Sequence, residues 1–232
     1  MTDTLIFGTL YLKNEEHVNS AKRWYDLLRQ YNPGINWVLI DSSSPQGLIR
    51  ELVNYMKVPY YKTVMDTTFD FKFMKNCVLS FGNNIGHLAR DGRDGWGRAF
   101  CQGIRIAINN KFKTVAHIEG DLLFKGNVDS IAGRNPAVTV NTHYGMIETG
   151  LMVMDVGFLK QIDFLRKYQW WRWTKEMLPE NIIREIISPK NILIENWKGG
   201  RDDNKDYSAG IVKGMQYLTH TTPEVEEVFC NA

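Results

Sequence analysis

Two carboxylates separated by one glycine stand at the end of an apolar run in the middle of the chain. Residues 115–124 read VAHIEGDLLF, so Glu119, Gly120 and Asp121 interrupt a segment with the composition of a buried strand. Two like charges there cost desolvation and mutual repulsion unless a positive group lies between them. Mg²⁺ and Mn²⁺ take oxygen ligands and keep substrate phosphates in their shell. The tripeptide therefore predicts a site for a divalent cation and a phosphate-bearing ligand. Gly120 has no side chain and would let that ligand approach the backbone. The alternative is that the two carboxylates line a solvent-facing turn.

The elements that position this tripeptide follow from hydrophobic periodicity. Strands are expected at 4–12, 36–41, 58–65 and 113–124, and helices at 15–31, 44–56 and 95–110. In the second half we expect strands at 137–141 and 150–155, a helix at 156–168, a Trp-rich segment, another short helix and a polar stretch at 198–210. Strands that alternate with crossover helices indicate an α/β fold with a mixed, mainly parallel central sheet flanked by helices. Ligands bind beyond the carboxyl ends of such strands, so the ends of the apolar runs are where a site is expected.

Composition narrows the class of protein. The chain has 232 residues, 44% hydrophobic and 23% charged, and a formal net charge of +2, so no strong field favours nucleic acid or an anionic membrane. No signal peptide and no apolar stretch near the roughly 20 residues of a membrane span is visible. The three cysteines, at 77, 101 and 230, fit neither a disulfide framework nor a zinc site. We therefore expect a cytoplasmic, soluble protein in a reducing compartment.

The segment around the carboxylates resembles the GT-A nucleotide-sugar glycosyltransferases. In that family a helix of the form G-x-x-x-A-x-x-x-G-I-x-x-A precedes a strand that ends in a D-x-D-type motif. Here the helix pattern is met by Gly95, Ala99, Gly103, Ile104 and Ala107, and the motif by Glu119-Gly120-Asp121. The resemblance extends from about Thr4 to about Asp155. It departs from the family at Glu119, where Asp is usual, although the longer carboxylate can still hold a metal directly or through water.

The resemblance implies an enzyme that moves a sugar from a nucleotide-diphosphate donor, expected to be a UDP-sugar, to a hydroxyl acceptor. It implies Mn²⁺ or Mg²⁺ held by Glu119, Asp121 and His220. It implies a donor site formed by Thr9, Leu10, Tyr11, Asp41, Arg98 and Gly120. Residues 1–125 would be the nucleotide-sugar-binding half and 126–232 the acceptor-binding half of a single domain.

Several of these residues have an ordinary structural interpretation as well. Tyr11 could be a strand-end aromatic, although its ring could also stack on a uracil-like base. Asp41 precedes Ser-Ser-Ser-Pro and could form a turn. A lone histidine such as His220 is often structural. These alternatives stay open at the level of the sequence.

An inverting transferase needs a carboxylate that takes the proton of the acceptor hydroxyl, whereas a retaining one does not. The candidates are Glu148, Glu180 and Asp202, with Asp203 beside the last. Glu148 lies between a loop and a buried strand and is the preferred candidate. Glu180 could instead be an N-terminal helix charge that the macrodipole favours.

The acceptor is expected to be a glycan or glycoconjugate. Residues 166–175, RKYQWWRWTK, interleave aromatic and cationic side chains, which stack sugars or bases and also line helix ends. This segment is the predicted wall of the acceptor site. A lipid-linked acceptor and modified DNA stay open, and so does the oligomeric state.

Two other function classes compete with the transferase. A metal-dependent nucleotidyltransferase would carry a Gly-rich, basic signature after the first strand, which GTLYLKNEE lacks. A non-catalytic nucleotide- or sugar-binding module would keep the fold without the chemistry. No P-loop and no G-x-G-x-x-G after a strand is present, which argues against NTPases and dehydrogenases.

Overall fold

A computed structural model describes residues 3–63, 75–86, 94–141, 147–174, 177–200 and 209–232. The strands in these ranges are β1 Thr4–Leu10, β2 Asn36–Asp41, β3 Tyr60–Lys62, β4 Cys77–Ser80, β5 Thr114–Ile118, β6 Leu122–Phe124, β7 Ala137–Asn141, β8 Ile147–Asp155, β9 Ile192–Glu195, β10 Gly199–Gly200 and β11 Tyr217–Thr219. The helices are α1 Glu15–Tyr31, α2 Gln46–Met56, α3 Gly95–Asn109, α4 Val156–Gln161, α5 Phe164–Thr174, α6 Pro179–Ile187, α7 Ala209–Lys213 and α8 Pro223–Cys230.

Eight strands form the central sheet in the order β3-β4-β2-β1-β5-β8-β7-β9. Only β8 runs against its neighbours: it pairs antiparallel with β5 and β7, and the remaining pairs are parallel. The predicted fold class, α/β with a mixed, mainly parallel sheet, is confirmed. Because β8 is reversed, its first residues lie at the edge where β1, β2, β4 and β5 end.

Helices cover both faces of the sheet. One apolar core packs α1, α2 and α8 against the sheet through residues such as Trp24, Leu52 and Phe229. The other packs α3 to α6 against the opposite face through residues such as Phe100 and Ile183. Strands β1 and β2 are buried on both faces, as the central strands of a parallel sheet are, so their sequences read as continuous apolar runs.

The strand expected at 113–124 is wrong as a single element. The chain forms β5, turns through Glu119–Asp121, and then forms β6 in a separate three-stranded sheet of order β10-β11-β6. The turn is fixed because the Gly120 amide donates to the carbonyl of Thr9 (2.9 Å) and the Leu122 amide donates to that of Glu119 (2.9 Å). The carboxylates therefore occupy a tight turn between two sheets, with structure on both sides.

The helix expected at 156–168 is also wrong as one element. It divides into α4 and α5 at Asp163, whose φ of 55° lies in the left-handed region and stops the first helix.

Among the described residues, no helix has both the length and the apolar character that crossing a membrane requires.

Candidate functional site

The loops that follow β1, β2, β4 and β5 meet at one edge of the central sheet. The Ser42 amide donates to the carbonyl of Leu10 (2.9 Å), and the Leu12 amide donates to the hydroxyl of Ser44 (2.7 Å). On the other side of β1, the Gly120 amide donates to Thr9. The loop after β1 is thus held between the loop after β2 and the Glu119–Asp121 turn, as expected for a site at this edge.

The structure gives a packing reason for glycine at position 120, which differs from the predicted reason, close approach of a ligand. A Cβ at this position would lie 2.8 Å from the Cβ of Leu10 and 3.1 Å from the carbonyl oxygen of Thr9. Glycine therefore lets the turn approach the end of β1. Its predicted part in binding the donor stays a prediction.

The Glu119 carboxylate is fixed by a tryptophan. The indole nitrogen of Trp96 donates to Glu119 Oε1 at 2.8 Å. The other oxygen, Oε2, lies 2.9 Å from the point that a Cβ on Gly150 would occupy. The backbone amide of Glu119 donates to the carbonyl of Gly150 (2.8 Å), which ties the turn to β8. Glu119 therefore faces α3 and β8.

Glu148 lies beside it. Its side chain is buried in β8, with Oε1 accepting from the Gly150 amide (3.0 Å) and lying 3.1 Å from the same Cβ point above Gly150. Glu119 and Glu148 thus converge over one glycine. Glu148 was the preferred catalytic carboxylate from the sequence, and the fold brings it to the predicted turn; its chemical role stays a prediction.

Asp121 lies on the other side of the turn, next to the segment that connects β11 to α8. Strand β11 pairs antiparallel with β6 so that Thr219 lies opposite Leu122. The next residue, His220, is then beside Asp121, and its Nδ1 lies 3.9 Å from Asp121 Oδ2. His220 has a φ of 53°, which turns the chain from β11 toward α8. Two of the three predicted metal ligands are therefore neighbours.

A buried carboxylate lies behind this pair. Glu226 of α8 is 4% exposed and accepts from the Ser20 hydroxyl (2.9 Å) and from Arg23 (2.7 Å). Burial raises the pKa of Glu226, and the negative charge of Asp121 raises it further. Since Arg23 balances one of the two carboxylates, the charge that remains at Asp121 favours a cation.

The residues present fit a divalent cation in part. Asp121 Oδ1 is buried and has no hydrogen-bond partner in the described part of the chain, a condition that a metal ion would relieve. Asp121 and His220 supply an oxygen and a nitrogen donor. Across the described ranges no three His, Cys, Asp or Glu side chains are grouped closely enough to hold a metal ion. A cation here would thus need further ligands, such as diphosphate oxygens or water.

His117 is a structural residue of the site. It is fully buried, with Nε2 3.0 Å from the Thr9 hydroxyl and Nδ1 2.6 Å from the carbonyl of Thr149, and its ring stacks on Phe7. A carbonyl only accepts, so Nδ1 carries the proton and Nε2 accepts from Thr9. Burial lowers the pKa of His117 to about 4, and the ring is neutral at pH 7. Thr9, a predicted donor-site residue, is therefore buried and bonded to His117.

Of the three predicted base-binding residues at the end of β1, Tyr11 is the accessible one. Its side chain is 40% exposed, whereas Leu10 is half-buried and Thr9 is buried. Tyr11 stands between the loop after β2 and the Glu119–Asp121 turn in the order of the sheet. An aromatic ring in that position suits stacking on a nucleobase.

Asp41 is buried at the end of β2. Its carboxylate accepts from the Ser44 amide (3.1 Å), the Ser44 hydroxyl (2.5 Å) and the Ser80 hydroxyl (2.6 Å). Burial raises the pKa of Asp41, while the serine hydrogen bonds act in the opposite direction. These contacts match the turn-forming interpretation, and contact between Asp41 and a ligand stays a prediction.

Arg98 is anchored to the loop after β4. Its guanidinium donates to the side chain and the carbonyl of Asn83 (2.9 and 2.6 Å) and lies 3.9 Å above the centre of the Phe81 ring. The arginine that was predicted to meet ribose or phosphate thus also holds a loop at the same edge of the sheet.

The remaining predicted residues lie elsewhere. Glu180 is in the first turn of α6, where negative charge is favourable. Asp202 and Asp203 lie outside the described residues. In the Trp-rich segment, Trp170 is 67% exposed on α5.

Trp96 is the site residue that sequence reasoning missed. It lies in the first turn of α3, which begins where Asp94 caps the Gly97 amide (2.6 Å), and its ring stacks on Phe100 one turn later. In the sequence, its place in the GWGR stretch was the only signal, and a tryptophan at the start of a helix indicates core packing. Its contact with Glu119 is tertiary.

Solved structures share this fold. The apo structure of the bifunctional glycosyltransferase WbbM aligns with 95% of this chain and 46% of its own length, at 9% identity and a TM-score of 0.61. The apo form of the glycosyltransferase GlyE from Streptococcus pneumoniae TIGR4 aligns with 100% of this chain and 61% of its own, at 12% identity and 0.61. The galactosyltransferase LgtC, in complex with donor and acceptor sugar analogs, aligns with 95% of this chain and 87% of its own, at 8% identity and 0.55.

The chain thus spans about half of WbbM and three fifths of GlyE. No protein-family model matches the sequence, and no curated protein matches it significantly. At such low identity the likeness establishes architecture alone. The chain has the fold of the GT-A glycosyltransferases.

Proposed function

We propose that the protein transfers a sugar from a nucleotide-diphosphate donor to a hydroxyl acceptor. The observation that carries the proposal is the Glu119–Asp121 turn at the carboxyl edge of a GT-A sheet, with Asp121 beside His220 and Glu119 beside Glu148. Three solved glycosyltransferases share the architecture, and one of them holds donor and acceptor sugar analogs.

Asp121 and His220 are the residues that would hold Mn²⁺ or Mg²⁺. When bound, the ion would neutralise charge on the diphosphate of the donor and on the leaving group. The negative charge of Asp121, which acts on Glu226 as well, and its buried Oδ1 without a hydrogen-bond partner among the described residues support this assignment.

Glu148 is the carboxylate that we assign to the reacting sugar. It is buried, it is oriented by the Gly150 amide, and it lies on the β8 side of the turn, away from His220. In an inverting reaction it would accept the proton of the acceptor hydroxyl.

The donor is a UDP-sugar in this proposal, with Tyr11 stacking on the base and Arg98 near the ribose or phosphates. The acceptor is a glycan or glycoconjugate, with the exposed Trp170 as one wall of its site. The three cysteines are free thiols, which agrees with the cytoplasmic location that we also propose.

A hydrolysis assay tests the function. UDP-glucose, UDP-galactose, UDP-N-acetylglucosamine and UDP-xylose are incubated separately with the protein, with Mn²⁺ or with a chelator, and released UDP is measured. We expect release from one of them that needs the ion and that falls at least about 100-fold in Glu148→Gln, the usual size of a general-acid or base effect.

The same assay separates the competing functions. UDP that binds without any release from the sugars would indicate a binding module. Pyrophosphate release from UTP and a sugar phosphate would indicate a nucleotidyltransferase. Either result would overturn the proposal.

A further inference from the structure

We propose that the outer face of helix α5 docks the protein on an anionic lipid surface. The outer face of α5 consists of Arg166, Lys167 and Trp170, and Leu178 lies at the turn from α5 into α6. This inference concerns a second surface of the molecule and does not depend on the proposed transfer reaction.

Helix α5 has one buried and one exposed face. Phe164 and Tyr168, four residues apart, are fully buried. Arg166, Lys167 and Trp170 are exposed, and the helical spacing places the two cations one turn before the indole on the same side. The tryptophan therefore lies in the middle of the exposed face, flanked by positive charge, where it contributes little to the core.

The buried face of α5 is anchored to the start of α3. The Tyr168 hydroxyl donates to Asp94 Oδ2 (2.8 Å), and Oδ1 of the same carboxylate caps the Gly97 amide (2.6 Å). Phe164 packs on Phe100 with ring centroids 6.2 Å apart. Because α5 is held through its inner face, its outer face is presented in a fixed orientation.

The same contacts place this face on the side of the molecule that holds the candidate site. Helix α3 begins at the edge of the central sheet where β5 ends, because the end of α3 leads into the start of β5. Helix α5 runs antiparallel to α3, with Phe164 against Phe100 and Tyr168 against Asp94. The last turns of α5 therefore lie toward the edge that carries the Glu119–Asp121 turn.

Exposed apolar side chains lie at the corner between α5 and α6. Trp170 and Leu178 are the two most exposed large apolar side chains among the described residues, at 67% and 51%. Because α5 ends at Thr174 and α6 begins at Pro179, Leu178 lies in the connection and Trp170 lies one helical turn before it. Apolar side chains exposed at one corner favour an interaction surface over a role in folding.

The charge of this segment indicates the kind of partner. Between Asp163 and Glu176 the sequence carries four cationic residues and no acidic one. Asp163 pairs with Arg166, and Lys167 is exposed beside that pair. The formal net charge of the chain is only +2, so attraction to an anionic surface is local to this segment. Tryptophan flanked by Lys and Arg suits lipid headgroups, where the indole reaches the acyl boundary and the cations meet anionic phosphates.

The shape of the surface favours a flat partner. The outer face of a single helix is convex, whereas sites for small molecules are concave. A bilayer can meet a convex face without a groove. The other occupants to distinguish are a second copy of the chain and a glycan, since Trp170 is also one wall of the proposed acceptor site.

The experiment measures sedimentation of the full chain with lipid vesicles. Vesicles of phosphatidylcholine alone are compared with an equal mixture of phosphatidylcholine and phosphatidylglycerol, at about 0.01 M and about 0.15 M salt, where the Debye length is about 30 Å and about 8 Å. Trp170→Ala removes the indole, and Lys167→Glu reverses one charge. Tyr55→Ala and Arg50→Glu are matched controls, because both residues are exposed on α2, which packs on the opposite face of the sheet.

We expect the wild type to bind the mixed vesicles at least about 10-fold more tightly than phosphatidylcholine vesicles, and to lose affinity as salt rises. Lys167→Glu should weaken binding to the mixed vesicles by about 25-fold, since one cation contributes about fivefold and the reversal counts twice. Trp170→Ala should weaken it by about 10-fold through loss of one interfacial aromatic side chain. Both α2 variants should stay within about twofold of the wild type.

Three results would overturn the inference. The first is a folded wild type that does not sediment with the mixed vesicles at low salt. The second is wild-type affinity for these vesicles in Trp170→Ala or Lys167→Glu, which would place the contact on another surface and leave Trp170 to the glycan. The third is a wild-type dimer that Trp170→Ala dissociates and that binds no vesicles, which would assign the face to a second copy. A chain that binds vesicles as expected but binds no nucleotide would support this inference and contradict the proposed function alone.

Discussion

Asp121 and His220 are neighbours although 99 positions separate them in the chain, because β6 and β11 pair in a register that sets Thr219 opposite Leu122. Their side chains lie next to each other at the end of the three-stranded sheet. This is the edge of the central sheet at which β1, β2, β4 and β5 end. This relationship joins a motif in the middle of the sequence to a histidine just before helix α8.

Asp121→Asn and His220→Ala should each abolish Mn²⁺-dependent UDP binding while the protein stays folded. Both side chains are 40% exposed, so neither carries much of the core. Calorimetry with UDP and Mn²⁺ measures the binding, and thermal unfolding checks the fold. Asp163→Asn is the control, since Asp163 pairs with Arg166 on the surface and Asn tolerates its left-handed backbone. Unchanged affinity in Asp121→Asn would remove the metal from this turn.

Tyr11→Ala should weaken UDP binding by about 10-fold, which corresponds to about 1–1.5 kcal/mol for the loss of one aromatic stack. The turnover number should change less than the affinity, because the base is remote from the reacting bond. Tyr61→Ala is a matched control, because Tyr61 is 42% exposed on edge strand β3. If both variants bind UDP as well as the wild type, Tyr11 is not part of the nucleotide site.

Sequence patterns within single segments were sufficient to predict helices and strands in the first half of the chain. Helix 15–31 and strand 36–41 were predicted with the boundaries that the structure has, because a 3.6-residue apolar period and a short continuous apolar run are both signals within one segment. The order of these elements also predicted which edge of the sheet carries the turn.

Contacts between distant segments were beyond the sequence. The break after Ile118 depends on Thr9 and on pairing with β11, and the direction of Glu119 depends on an indole 23 residues earlier. Thr9 and Asp41 look available at strand ends, yet His117 and two serines bind them. Sequence pattern can place a residue on a strand or helix, whereas its contact partners depend on the tertiary fold.

His117 should make folding sensitive to mild acid. Its pKa in the folded protein is about 4 against 6.5 for an unperturbed histidine, so the unfolded chain takes up the proton first as pH falls. The neutral ring contributes stability that is present above pH 6.5 and is lost as pH falls toward 4, by about 3 kcal/mol in all.

The measurement is the free energy of unfolding from urea titrations at pH 7.5, 6.5, 5.5 and 4.5, for wild type and His117→Gln. The stability difference between the two proteins should shrink as pH falls, since the variant has no imidazole to protonate. Buried Asp41 and Glu226 have raised pKa values and act in the opposite direction, but they are common to both proteins. A difference that does not vary with pH would mean that the pKa of His117 is the same in the folded and unfolded protein, which would contradict the effect of burial.

Gly103→Ala should destabilise the protein by about 1–3 kcal/mol, as overpacking in a core does. A Cβ there would lie 2.3 Å from the ring of Phe7, which stacks on His117 beneath the site. Gly47→Ala in α2 is the control, because a Cβ there meets nothing within 4 Å, and it should stabilise by up to about 1 kcal/mol. Equal effects of the two changes in denaturant titrations would contradict the packing of α3 on β1.

The central claim is that the Glu119–Asp121 turn and His220 form a cation-dependent nucleotide site. The direct test is calorimetric titration of the wild type with UDP, GDP and ADP, each with and without Mn²⁺. We predict that UDP binds and that binding needs the ion. If none of the three nucleotides binds to the folded protein in Mn²⁺, the turn is only a connection between two sheets, and the glycosyltransferase assignment is contradicted.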